Sequence, residues 1–515
     1  MSGGPRRDWW LLSLVGIAIC AVLLLLHAYT YDYVVDDAYI SLRYARNLVA
    51  GHGLVFNPGE RVEGYTNFLW VMLAALGLKL GLDAVILVKV LGFVSAVLSM
   101  VVVFWYSRVV YGRAALAGLL PAAFLAASPA MAVWALGGLE TTFFALLVTS
   151  AVLSHIRGLS MRKVPLASSV LLTGAALTRP EGLIFAVILF ADLLAARTSK
   201  RRVALWLVPF VAVLVPYFIW RFSYYGYLFP NAYYAKTGGG ASQLARGLGY
   251  VRNYVASAGG LLSLLVLAPV FLAGGRKYVL PAIVCAVWGM YVVAVGGDSL
   301  AMYRFLVPVL PLSYLLIVQG LLLVHEKALA GRPPRVAHSA LASVLVVSLL
   351  LVLSNSLGST DRDFVREDRT RVQGNWVPIG KWLKDYAKSG ESMAVTSAGA
   401  VPYYSGLATI DMLGINDARI AHRRMPRMGG GLAGHEKHDM EYVISKRPTY
   451  IFHYLFMVKR PVITRDQFLT EWNPGEASLP DLPDFNRMYE PVSEQIAGLY
   501  LNFFRLKPEY RKPEY

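Results

Sequence analysis

Charge is scarce in this 515-residue chain: only 16% of its residues are Asp, Glu, Lys or Arg, while 56% are hydrophobic. That balance excludes an ordinary soluble enzyme, whose charged fraction runs near a quarter. Cysteine is almost missing, with Cys20 and Cys285 alone. Both lie inside apolar runs, so neither a disulfide framework nor a zinc site can be built from them. There is no Gly-rich nucleotide loop, no cluster of metal-ligating residues, no Ser-His-Asp pattern, no internal repeat and no low-complexity stretch beyond a basic tail. What the chain does have is apolar length. Several runs reach roughly 18 residues or more, enough to cross hydrocarbon as a helix.

The net charge of +17 invites a nucleic-acid reading, but the Lys and Arg residues gather in short clusters between apolar runs, the pattern that sets membrane orientation. No nucleic-acid partner is expected; membrane lipid is. Arg6-Arg7 before the first run, 9–29, puts the N-terminus in the cytoplasm, and that run reads as a retained anchor rather than a cleaved signal. Basic turns at 108–113, 157–163, 197–202, 276–277 and 327–335 all face the cytoplasm if the spans are 9–29, 84–106, 114–133, 138–156, 164–178, 182–196, 203–222, 255–274, 278–296, 303–325 and 337–355. Residues 67–82 break this parity if they cross, so they are placed as an interfacial helix in a large first external loop, 31–83. The expected fold is a polytopic α-helical membrane protein of about eleven transmembrane helices. Residues 1–355 form the membrane domain, and 356–515 a small extracytoplasmic α/β domain with a helix over 374–388 and strands at 392–396, 408–412 and 449–454. A multi-pass protein of a bacterial plasma membrane, with its site on the extracytoplasmic side, is the expected setting.

Sorted by side, the polar residues near span ends are unevenly shared. The outer loops carry Asp36, Asp37, Arg43, Arg46, Glu63, Tyr65, Asn67, Glu140, Arg179, Glu181, Asn231, Lys236, Asp298, Tyr303 and Arg304. The adjacent carboxylates Asp36 and Asp37 follow directly on a hydrophobic span, where an acid pair is costly to hold and suited to proton abstraction. Arg179, Lys236 and Arg304 place cations on the same face, and cations there fit a phosphate ester. Plainer uses fit several of these residues as well. Arg179-Pro180-Glu181 has the form of a helix start, Glu140 of a first-turn acid, Asn231 of a helix cap, and Lys236 of a side chain snorkelling to headgroups. Aromatics of the loop, including Tyr31, Tyr33, Tyr39, Tyr44 and Phe56, read first as an interface belt.

The run Asp36-Asp-Ala-Tyr-Ile-Ser-Leu-Arg-Tyr-Ala-Arg-Asn-Leu48, followed by Gly51-His-Gly-Leu-Val-Phe-Asn-Pro-Gly-Glu-Arg-Val-Glu-Gly-Tyr-Thr-Asn67, resembles the GT-C membrane glycosyltransferases. Within them it is most similar to the terminal β-(1→2) arabinofuranosyltransferase family. The resemblance continues at Gly138-Leu-Glu-Thr141, Arg179-Pro-Glu181, 230–236, 297–308, Asp411-Met-Leu-Gly-Ile-Asn-Asp417 and Gly434-His-Glu-Lys437. It implies an inverting transfer of a sugar, arabinofuranose among the candidates, from a polyprenyl-phosphate donor to a cell-envelope glycan or glycolipid acceptor. By position, Asp36 or Asp37 is the general base. Lys236 and Arg304, with Arg179, are donor-phosphate ligands. Arg43, Glu63, Tyr65, Asn67, Glu140, Glu181, Asn231, Asp298, Tyr303 and His435 are candidate substrate-binding residues. No cofactor and no metal are implied beyond the lipid-linked donor as co-substrate. A transporter or flippase of a polyprenyl lipid is the alternative from another class, and it would call for repeats and midplane charges.

Overall fold

The computed structural model describes residues 8–511, apart from 258, 330–331, 355–359, 427, 453–456 and 462–477. Two units form, and neither is a continuous stretch: one comprises 1–33, 86–220 and 245–365, the other 34–85, 221–244 and 366–515. The sequence placed a boundary after 355. Instead, the first loop and the segment 221–244 cluster with the C-terminal region.

The first unit is helical. Among the described residues, seven helices are long and apolar enough to cross a membrane: Trp10–Tyr31, Ala84–Val109, Thr141–Ser160, Lys200–Tyr225, Arg276–Val295, Arg304–Ala328 and Arg335–Ser354. Two bent pairs bring the number to nine if each is one span. The expected span 114–133 is one of them, Ala115–Ala127 and Pro129–Leu136, with a 66° bend between. Its cause is local. Proline disfavours helical geometry in the residue before it, and Ser128 sits extended at φ −74°, ψ 119° while its hydroxyl accepts from the Met131 amide. The expected spans 164–178 and 182–196 appear as short helices, Leu166–Thr178 and Gly182–Ala195. Large apolar side chains such as Leu11, Leu14, Ile86 and Val187 stay exposed while Trp134, Trp206 and Trp288 are buried. Only lipid makes such a surface tolerable. The chain is a multi-pass membrane protein.

The second unit is mixed. Asp36–Val49 and Phe68–Lys79 are helices packed on each other; the latter is the segment expected to lie at the interface. The C-terminal part carries a six-stranded sheet: β1 (Ser392–Val395), β2 (Ala408–Asp411), β3 (Tyr450–Phe452), β4 (Met457–Val458), β5 (Tyr489–Ile496) and β6 (Leu499–Leu506). β1 lies between β2 and β3, parallel to both. β6 runs antiparallel to β3, β4 and β5. The three strands read from the sequence are β1, β2 and β3, although residues 453–454 of the last lie outside the described ones. The expected helix 374–388 is Val377–Tyr386, entered through a π-turn at Val372–Trp376. The β5–β6 hairpin was not legible, because its two-residue turn is Ala497-Gly498 rather than Asn-Gly. Both residues have positive φ, 48° and 83°, as the right-handed strand twist demands. Ile451, Phe485, Phe504 and Met440 form the core of this part.

Candidate active site

In the second unit the helix Asp36–Val49 starts with the acid pair, and the two acids are treated differently. Asp36 does not cap its own helix. Its Oδ2 accepts from the Gly399 amide at 2.9 Å and its Oδ1 from the Ala400 amide at 2.7 Å. The close approach requires a glycine: a Cβ on Gly399 would lie 2.0 Å from the Asp36 carbonyl oxygen. Among the described residues, Asp37 accepts no hydrogen bond and makes no ion pair. A third carboxylate, Asp368 on the helix Thr360–Arg371, is buried, with Oδ1 3.4 Å from Arg371 and, among the described residues, no partner for Oδ2.

Burial pushes the Asp36 carboxyl up to about 7, and the neighbouring charges of Asp37 and Asp368 push the same way against the pull of the two amides. Asp368 is pushed up to about 6, again chiefly by burial, with Arg371 opposing and Asp37 adding to the rise. Two buried carboxyls with raised proton affinity, both next to the Asp37 charge, mark this place as a candidate for proton transfer.

His435 and Lys236 belong to the same surroundings. Gly434, at φ +82°, leaves room for the Lys236 chain, whose Cε would lie 3.1 Å from a Cβ there. Lys236 is half-buried, and among the described residues its ammonium has no hydrogen bond or ion pair. His435 keeps an exposed edge, yet the protein around it lowers its pKa. Lys236 acts in the same direction, while Asp37 and Glu436 pull upward. The sequence placed all of Asp36, Asp37, Lys236 and His435 in the site, and this unit brings them together.

Several other candidates turn out to be consumed internally. Arg43 is 1% exposed and spends its fork on the carbonyls of Phe56, Pro402 and Leu407 and on Asn57 Oδ1. Glu63 pairs with buried Arg221 at 2.6 Å, Asn67 bonds Ser41, and the Tyr65 hydroxyl meets that of Tyr225 at 3.1 Å. Asn231 is not a helix cap. Its Nδ2 donates to the carbonyls of Gly414 and Ile415. Asp411, in the motif 411–417, accepts from the amides of Leu413, Gly414 and Asn416 and so shapes that loop. These residues hold the acid-bearing helix to the loops after β1 and β2, because a buried polar atom must find a partner within the protein.

The remaining candidates lie in the first unit. Arg179 pairs with Glu140 at 2.8 Å and with Glu181 at 3.0 Å, and the Tyr291 hydroxyl donates to Glu181 at 2.9 Å. Arg304 pairs with Asp298 at 2.6 Å. Tyr303, left-handed at φ 49°, packs its ring against Tyr250 and Tyr254. Both guanidiniums lie over the Phe305 ring, at 5.4 and 5.2 Å, so the two clusters are neighbours. Each of these cations faces its own acid. Glu140 and Glu181 are therefore counter-ions as much as first-turn acids.

Asp368, Arg221 and the amide pair 399–400 escaped the sequence reading. Asp368 shares a charge-dense helix with Asp361, Asp363 and Glu367, and nothing local distinguishes it from them. Among the described residues, no group of three or more His, Cys, Asp or Glu side chains is placed to hold a metal ion.

Residues 363–505 match the family described as a domain of unknown function (DUF8728). The terminal β-(1→2)-arabinofuranosyltransferase of Mycobacterium tuberculosis is 34% identical over 266 residues, 48% of this chain and 41% of that protein. The enzyme of the same name from Corynebacterium glutamicum is 29% identical over 330 residues, 54% of this chain and 47% of that one. The matches thus span less than half the length of either relative. Among solved structures, ArnT of Cupriavidus metallidurans bound to undecaprenyl phosphate aligns with a TM-score of 0.57 at 15% identity, over 79% of this chain and 86% of that one. The apo form of that ArnT gives the same TM-score over 99% and 100%. The chain therefore has a fold of the GT-C type, similar to that of ArnT, and its curated homologues are terminal β-(1→2)-arabinofuranosyltransferases.

Proposed function

We propose that the protein is an inverting glycosyltransferase that moves a sugar, arabinofuranose by its homologues' names, from a polyprenyl-phosphate donor to an envelope glycan. The reading places about eleven spans in a bacterial plasma membrane, with the acid pair and the C-terminal sheet outside. The observation that carries it is the Asp37 carboxylate, which among the described residues has no hydrogen bond or ion pair and stands near Asp36, Asp368 and His435.

Asp37 takes the role of general base. An acceptor hydroxyl donates to it, the proton passes to the carboxylate, and the acceptor oxygen forms its bond to the anomeric carbon. The bond from that carbon to the phosphate oxygen breaks on the opposite face, and the polyprenyl phosphate leaves with the electron pair. Asp36 positions the base: its two amide bonds fix the first turn of the helix. Lys236 meets the donor phosphate, since its ammonium has no carboxylate of its own to neutralise it. Arg304 and Arg179 act first as partners of Asp298 and of Glu140 and Glu181.

The test is direct. Purified protein is given polyprenyl-phosphoarabinofuranose and a synthetic arabinan acceptor, and products are read by mass spectrometry. In parallel, surface glycans of a deletion strain are compared with those of the parent. A lost terminal arabinofuranose supports the reading. Unchanged glycans together with no transfer in vitro overturn it.

A further inference from the structure

The first unit holds a further cavity, apart from the Arg179 cluster. A cavity of about 390 Å³ opens between the helices Ala84–Val109, Thr141–Ser160 and Leu166–Thr178, and it is lined mainly by apolar side chains, among them Val102, Leu153, Leu166 and Leu171. Two cations, Arg157 and Lys163, stand in its lining. The Arg157 guanidinium lies 4.4 Å from the centre of the Trp105 ring. Among the described residues neither cation has a hydrogen bond or an acidic partner for its side chain. That contrasts with Arg179 and Arg304 of the same unit, each of which has its own carboxylate.

The turn that brings the cations to the cavity is tight. Gly158 packs so closely on Pro165 that a Cβ would lie 2.8 Å from the proline ring. Glu140 precedes the same helix whose last turn carries Arg157. Seventeen residues at 1.5 Å each put the two about 25 Å apart along the axis. The cavity is therefore at the far end of that helix from the Arg179 cluster.

We infer that this cavity binds an anionic glycerophospholipid, its phosphodiester held by Arg157 and Lys163 and one acyl chain laid against Leu153, Leu166 and Leu171. Three properties select that occupant. The cavity lies among lipid-facing helices, so a lipid reaches it by lateral diffusion. Its apolar walls reject a bare phosphate. Its unneutralised cations reject a zwitterion in favour of a net negative headgroup. A tryptophan beside the cationic end matches the depth at which indoles settle in a bilayer. The site is structural: a bound lipid fills the space between three helices and neutralises two charges that the protein leaves bare.

The experiment uses the full chain in detergent, titrated with dioleoyl-phosphatidylglycerol or dioleoyl-phosphatidylcholine and read by native mass spectrometry. Wild type is expected to retain one phosphatidylglycerol under conditions that strip phosphatidylcholine. Arg157→Gln with Lys163→Gln should weaken retention roughly 25-fold, from about fivefold per cation, with transfer activity unchanged. Leu166→Trp, which fills the cavity and keeps both cations, should weaken it as well. A phosphatidylglycerol brominated in its acyl chains should quench wild type more than Trp105→Phe. Equal retention of the two lipids, unchanged affinity in the double variant, or equal displacement by glycerol phosphate would each overturn the inference. Preferential capture of undecaprenyl phosphate would overturn it too, by assigning the cavity to the donor.

Discussion

Replacing Asp37 with asparagine isolates the proposed base, because the substitution keeps the side chain's size and removes only its charge and proton affinity. The structure predicts little effect on folding, since the Asp37 carboxylate is bonded to no described residue. General-base catalysis contributes about 10²–10⁴ in rate, so kcat should fall by that factor, a barrier increase of about 3–5 kcal/mol at 1.36 kcal/mol per decade. Asp36→Asn should behave differently. An amide has one acceptor oxygen and points its NH2 at the second backbone donor, so one of the bonds from Gly399 and Ala400 is lost. Hydrogen bonds to charged groups are worth about 1.5–3 kcal/mol, and the loss should appear as a lowered melting temperature with a smaller fall in kcat. Turnover of the lipid-linked donor and differential scanning fluorimetry on the same samples separate the two effects. If Asp37→Asn keeps its rate within threefold while Asp36→Asn loses a thousandfold at an unchanged melting temperature, the roles assigned to the two acids are reversed and the argument from free valence fails.

Lys236→Ala should raise the donor KM by about 10- to 100-fold, one charge-assisted contact, and leave the acceptor KM alone; an equal rise in both would make the lysine structural. Gly399→Ala should cost about 1–3 kcal/mol of stability and reduce kcat, because its methyl group would overlap the Asp36 carbonyl oxygen at 2.0 Å; a variant with wild-type melting and rate would contradict that packing. Arg43→Lys should destabilise by about 2–4 kcal/mol, since an ammonium cannot serve the four acceptors of the guanidinium fork, and an unchanged denaturation midpoint would refute the account. Asp36, Asp368 and Asp411 are pushed up to about 7, 6 and 6, each chiefly by burial. Folded values above unfolded ones mean that their stabilising effect is complete below about pH 4 and is lost as pH rises through 6–7. Melting temperature should therefore fall between pH 5 and 8, and a flat or rising profile would count against the raised values.

Membrane class, helix positions and the place of the acid pair were legible in the chain, because each rests on a local property. A run of apolar residues is helical in lipid whatever its neighbours, since each backbone group must find its partner within the segment. The expected spans 9–29, 84–106, 278–296 and 337–355 accordingly fall on helices with ends within a few residues. The bend at Ser128-Pro129 was also written locally, although an unbroken run hid it. Strands β1 to β3 announced themselves by short apolar stretches between turn residues, whereas β5 is polar along most of its length and is held by its pairing with β6.

The candidate site divides along the same line. Residue type and position along the chain brought out Asp36, Asp37 and Lys236, and the family resemblance brought out His435. Which acid is tied down and which is left free depends on two amides more than 360 residues away in the chain, and no local pattern carries that. The same holds for Arg43, Glu63 and Asn231, whose polarity near the ends of apolar runs suggests sugar contacts until their partners at 56, 221, 402, 407, 414 and 415 are seen. Chemistry and membrane setting follow from composition and order along the chain, because they are sums over neighbours. Whether a polar side chain faces a substrate or closes a turn is decided only by folding, because a hydrogen-bonding group is satisfied by whatever partner the tertiary structure brings within 3 Å.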